Sequence, residues 1–158
     1  MRTGSPVWAR RANTTALDRF IVAQDPVFET AMAELAAGRK TSHWMWFVFP
    51  QARSLGRSST AVFYGIGSLE EAEAYLAHTV LGARLARATQ TATTAPAASV
   101  HQLFGSPDDL KFRSSMTLFA AVAVDPTVFD AALARWGLSS DPLTADLVST
   151  ARTGPDRL

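Results

Sequence analysis

Lys40, Ser42 and His43 lead directly into Trp44-Met45-Trp46-Phe47-Val48-Phe49, and Pro50-Gln51 close the run. An ammonium, a hydroxyl, an imidazole, two indoles and a carboxamide are groups that can hold a phosphate, orient a sugar and stack on a flat ring. Apolar area with a polar rim suits a core element and equally the wall of a ligand pocket. On a helix, Trp44 and Phe47 share one face while Trp46 and Phe49 share the next. One pair can then face the core while the other lines a cleft. As a general acid or base His43 needs a partner to orient it; the alternative is a ring hydrogen-bonded to backbone beside an aromatic core.

The second constellation is Phe104-Gly105-Ser106-Pro107-Asp108-Asp109-Leu110-Lys111, followed by Ser114-Ser115. A helix starting at Pro107 would aim its first amides at an anion. Lys111 and Ser115, four residues apart, project from one face of that helix. Cleavage of a glycosidic bond calls for a carboxylate beside an oxocarbenium-like centre, which ranks Asp108 and Asp109 above the serines as catalytic candidates. The plain alternative is a capped helix carrying an i, i+3 pair between Asp108 and Lys111.

These residues must be positioned by a chain of 158 residues, about one domain by length. Its 47% hydrophobic and 18% charged content is that of a globular protein. The chain has no cysteine, which excludes a disulfide framework, a thiolate metal site and a cysteine nucleophile, and fits a reducing cytoplasm. Fifteen basic residues against fourteen acidic ones disfavour general nucleic-acid binding. No window reaches the ~18 apolar residues of a membrane span, and the arginine-bearing N-terminus lacks the apolar core of a secretory signal. Lys40 and Lys111 are the only lysines among fifteen basic residues, which reads either as chance placement or as two sites where a compact ammonium works and a planar guanidinium does not. No glycine-rich phosphate loop, dinucleotide fingerprint, nucleophile elbow or paired-histidine zinc helix occurs. His43, His78 and His101 lack metal-ligand spacing, so neither metal nor cofactor is expected.

Helix punctuation is dense. Asp25-Pro26, Ser106-Pro107, Asp125-Pro126 and Asp141-Pro142 each place an N-cap acceptor before a proline suited to the first helical position. Ser68-Leu69-Glu70-Glu71 has the capping-box spacing. Gly38, Gly65, Gly105 and Gly137 close apolar-periodic runs. Between these marks the apolar residues recur at i, i+3 and i+4, with no long alternation of period two. The spacing predicts an all-α single compact domain of roughly seven to nine short helices over residues 14–152. The same reading expects residues 1–13 to be a disordered or frayed lead and residues 153–158 a C-terminal tail. Thr89 to Ser99 reads as a helix end running into a loop.

Several segments together resemble a known family. They are Ala23-Gln24-Asp25-Pro26-Val27-Phe28, Gly38 to Gln51, Tyr64-Gly65-Ile66, Tyr75-Leu76-Ala77-His78 with Leu81-Gly82, and Phe104 to Phe119. From about Leu17 to Val148 the chain resembles the bacterial domain of unknown function 1810 family. The resemblance implies a mainly helical single domain and no particular activity. Thr79 departs from the proline that the family often has after the histidine. In helix order there is a fainter similarity to the NADAR proteins, small multihelical domains linked to ADP-ribose and nucleotide-sugar chemistry at N-glycosidic bonds. That similarity implies a nucleotide-like ligand and carries no residue assignment with it.

Two functions are therefore expected to compete. In the first, the protein binds an ADP-ribose-like or nucleotide-sugar ligand or cleaves it at an N-glycosidic bond. Trp44 and Trp46 stack on a ring, Lys40 and Lys111 hold phosphates, Ser42, Gln51 and Ser115 add polar contacts, Asp108 or Asp109 is the acid/base carboxylate, and His43 orients the ligand. The second is a non-catalytic interaction module that docks a partner protein on an exposed apolar patch. The first requires Lys40, His43, Asp108 and Lys111 to converge on one cleft.

Overall fold

A computed structural model describes residues 7–158, with side chains from residue 16 onward. The described residues form α1 (Val7–Gln24), α2 (Phe28–Ala36), α3 (Met45–Val48), α4 (Ser59–Phe63), α5 (Leu69–Ala77), α6 (Leu81–Thr93), α7 (Val100–Phe104), α8 (Asp108–Val122), α9 (Thr127–Arg135) and α10 (Pro142–Thr153). A 3₁₀ turn spans Arg53–Leu55. No strand occurs among them, only an isolated parallel bridge between Ala52 and Ile66. The all-α expectation holds. Among the described residues there are ten helices rather than seven to nine, because α4 and α7 span only five residues each, too short for periodicity to resolve. Of the lead expected over residues 1–13, residues 1–6 lie outside the described residues, and α1 begins at Val7.

Local chemistry starts several helices as expected. Asp141 caps α10 by accepting from the Thr144 amide, with Pro142 in the first turn. Ser68 caps α5 by accepting from Glu71 N–H, while the Glu71 carboxylate turns to Gly67 N–H and to Arg19. Three of the four proline signals behave differently. Pro107 and Pro126 occupy the N-cap position itself, and α2 begins two residues after Pro26. Asp125 still accepts from the Thr127 amide at 3.0 Å, whereas Asp25 is drawn to Arg84. The segment after α10 folds back onto α5: Asp156 accepts from the Leu69 and Glu70 amides, and Leu158 is buried.

The centre of the molecule is α8, which packs against α5, α7, α9 and α10. Its residues from Ser114 to Phe119 are all buried, as a helix surrounded on every side requires. Aromatic rings run through this core. Phe20 meets Tyr75 edge-on at 5.1 Å, and Tyr75 lies 5.3 Å from Phe119. Phe49 meets Phe112 edge-on at 5.1 Å, and Phe112 stacks on Phe104 at 4.6 Å. The buried Gln24 amide ties α1 to the aromatic run, donating to the Phe47 carbonyl at 2.6 Å and to the Tyr75 hydroxyl at 3.0 Å. Burial pushes the Tyr75 hydroxyl's pKa well above the usual tyrosine value, so it stays neutral.

Two loops set the site. At the end of α2, Gly38 has φ +84°, and its amide donates to Leu35 while Arg39 N–H reaches Glu34. A β-carbon there would stand 2.8 Å from the Pro96 carbonyl oxygen, so glycine is required both for the turn and for the close approach. Beyond it, Lys40 N–H donates to Leu103 at 2.7 Å, which lays the chain along the end of α7. The second loop, between α3 and α4, is pinned by the bridge: Ile66 N–H donates to Gln51 and Arg53 N–H to Ile66, both at 2.9 Å.

Candidate functional site

Glu34 is a carboxylate on the buried face of α2, among Ala31, Met32 and Leu35. A charge in that position must find donors. It finds four. Oε1 accepts from the amides of Thr41 and Ser42 at 2.8 and 3.0 Å and from the indole of Trp44 at 3.0 Å; Oε2 accepts from the Ser42 hydroxyl at 2.5 Å. Burial pushes its pKa upward, but the donors from Ser42, Thr41 and Trp44 outweigh it and hold the carboxyl at about 2, against an ordinary 4.5. This carboxylate fixes the segment that carries Lys40 and the tryptophans.

Lys40 continues from that segment across the Trp44 ring, 5.1 Å from its centroid, to Asp108 at 2.8 Å. Its side chain is almost fully buried, 7% exposed against 21% for Asp108. Lys111 approaches the other oxygen of Asp108 at 3.7 Å and lies 5.3 Å from the centre of the Trp46 ring. The i, i+3 pair read from the sequence is therefore present, and Lys40 joins it from outside the helix. Of the two ammoniums, Lys40 is the tightly held one and Lys111 the loosely held one.

Beside Lys111 opens a cleft of about 850 Å³ between residues 51–61 (the loop after α3 and the start of α4), the first turns of α8 and the start of α10. Its volume lies in the range of small-molecule sites. Three cations line it, Arg57, Lys111 and Arg113, against one carboxylate, Asp141. Arg113 is held in place by the Ser139 carbonyl and hydroxyl and the Ser140 carbonyl. The Asp141 oxygen that caps α10 also accepts from the hydroxyls of Thr144 and Ser114. Leu110 and Leu143, both well exposed, form an apolar lip, and Gln51 reaches the cleft from the pinned loop.

The structure sorts the residues expected from sequence. Lys40, Asp108, Lys111 and Trp46 come together, and Gln51 shares the cleft with Lys111. Trp44 is 1% exposed, so it presents no face for a ligand to stack on. The expected pairing of faces fails because the helix proper begins at Met45: Trp44, Met45, Val48 and Phe49 turn inward, and Trp46 and Phe47 stay half-exposed. The Ser42 hydroxyl is taken up by Glu34, to which it donates a hydrogen bond. Ser115 is fully buried, and its hydroxyl has no partner among the described residues. His43 is exposed and lies outside the cleft lining. Asp109 points away from the cleft, accepting from the Leu110 amide and meeting His101 at 3.2 Å. The first turn of α8 is no anion site, because the amides of Asp109, Leu110 and Lys111 already donate to Gly105 and Pro107. Sequence reasoning passed over Glu34, Arg57, Arg113 and the His101–Asp109 contact. Only Glu34 left a signal, a carboxylate spaced with the apolar face of α2.

Fold and site together define a small all-helical protein with a cationic, partly apolar cleft beside a lysine–aspartate–lysine chain. The chain belongs to the DUF1810 family, described as a protein of unknown function, whose family model matches residues 14–148. A conserved hypothetical protein of Mycobacterium tuberculosis, Rv1873, known from a crystal structure, is similar to it at 51% identity with a TM-score of 0.82. That match covers 84% of this chain and 96% of the mycobacterial one. No curated protein matches the chain. No helix among the described residues is long and apolar enough to cross a membrane.

Proposed function

We propose that this protein binds a phosphorylated small molecule of the nucleotide or nucleotide-sugar kind in the cleft between residues 51–61 and α8. The observation that carries the reading is the cleft's charge: Arg57, Lys111 and Arg113 face it against Asp141 alone. An excess of cations at a site of this size favours an anionic ligand, and arginine with lysine is the usual pairing for phosphate. Lys111 suits the role because Asp108 is engaged more closely by Lys40, which leaves the Lys111 ammonium free to shift to a ligand. The apolar lip of Leu110 and Leu143 gives the uncharged part of the ligand a surface to cover.

Binding is better supported than cleavage. Asp108 lies between two ammoniums, Asp109 is turned toward His101, and neither lines the cleft. The test is thermal unfolding with ADP-ribose, NAD and simple nucleotides, on the wild type and on Arg57→Ala and Lys111→Ala. A ligand present at a hundred times its Kd should raise Tm by about 5–10 °C. The shift should shrink in both variants. No shift for any ligand would sink the reading and leave Leu110 and Leu143 as a surface for a partner protein.

A further inference from the structure

Gln51 holds an unused carboxamide at a fixed point of the cleft. Its backbone is clamped by the bridge, with its carbonyl accepting from Ile66 at 2.9 Å, and its neighbours Pro50 and Ala52 are buried. The side chain is half-buried and lines the cleft, yet it makes no hydrogen bond among the described residues. The other amide near the aromatic run, Gln24, is by contrast fully engaged by Phe47 and Tyr75. A carboxamide offers an acceptor and a donor side by side, and its natural complement is an edge carrying a donor beside an acceptor. Leu55 and Ala61, close to Gln51 in sequence, supply apolar wall for the face of a planar ring.

We infer that Gln51 is the specificity-determining residue of the cleft, reading the amine-and-ring-nitrogen edge of an adenine-type base while Lys111 and Arg57 hold the phosphate. The inference rests on the binding reading above. One residue on a rigid loop selects the base, and the cations hold any ligand that carries a phosphate. A site built to hydrogen-bond an amine rejects the analogue that lacks it, because its own polar group is then left unpaired.

The test is calorimetric binding of three probes: adenosine diphosphate, purine riboside diphosphate (the same molecule without the exocyclic amine) and inorganic pyrophosphate. The wild type should prefer adenosine diphosphate over the purine analogue by about tenfold. Gln51→Leu should abolish that preference, and Lys111→Ala should weaken both nucleotides while preserving their ratio. Because each ratio is taken on one protein, a general loss of stability does not imitate the effect. Equal binding of the two nucleotides by the wild type, or a preference that persists in Gln51→Leu, would overturn the role of Gln51 and leave the anion cleft standing. Failure of all three probes to bind would remove the cleft reading and this inference together.

Discussion

Glu34, bonded to the Trp44 indole, and Asp108, paired with the lysine that lies over the same ring, are carboxylates held in opposite ways. Glu34 is surrounded by neutral donors, two amides, a hydroxyl and the Trp44 indole. Asp108 faces two ammoniums, one of them lying over the same indole. Neutral N–H and O–H donors belong to the backbone and core, so Glu34 fixes a shape that no arriving ligand can draw apart. Ammoniums on flexible stems are charges that can be re-aimed, and the 3.7 Å contact of Lys111 is the loose end of that chain. The first carboxylate anchors the segment that carries Lys40 and Trp44; the second pairs closely with Lys40 and only loosely with Lys111 at the rim of the cleft.

The largest break in this contrast should come from Glu34→Ala. It leaves the buried Trp44 indole and the part-buried amides of Thr41 and Ser42 without an acceptor, and a loss of about 3 kcal/mol is expected in denaturant unfolding. A near-neutral effect would mean that the 40–46 segment is held by packing alone. The same residue predicts an acid limb. Its pKa in the fold, about 2, lies below the ordinary 4.5. Its contribution is therefore whole above pH 4.5 and is lost as pH falls toward 2. The wild type should lose about 3 kcal/mol across that window from this group, and Glu34→Ala should lack that part of the slope.

A middle effect belongs to Lys40→Ala. It removes a nearly buried stem lying over Trp44 and the closer partner of Asp108, at a cost of about 2 kcal/mol in the same unfolding measurement. The smallest belongs to Lys111→Ala, whose loose, partly exposed pair should contribute less than about 0.5 kcal/mol. If the two lysine variants lose equal stability, the division into a structural and a ligand-facing ammonium is wrong.

The reading from sequence succeeded where a contact closes within a turn. Asp141-Pro142, Ser68 and Gly38 do locally what their types dictate, and so does the Asp108–Lys111 pair. It failed where a side chain could choose among distant partners. Asp25 leaves its capping role for Arg84, and Pro107 slips one position outward to the N-cap of α8. The aromatic run was ambiguous for the same reason. Its six apolar residues in a row carry no period, and the inward set became Trp44, Met45, Val48 and Phe49 once Glu34 had captured the Trp44 indole.

By itself, then, the sequence determined an all-α chain, the caps at Ser68 and Asp141, the turn at Gly38 and the two lysines worth watching. Those follow from hydrophobic period, capping chemistry and composition, which act over a few residues. The tertiary structure alone decided that Glu34 holds Trp44, that Lys40 reaches Asp108, and that Gln51, Arg57 and Lys111 share one cleft. These meetings depend on the turn at Gly38, on the bridge that pins Gln51 and on the packing of α7 against α8. Each brings together side chains that no local spacing relates.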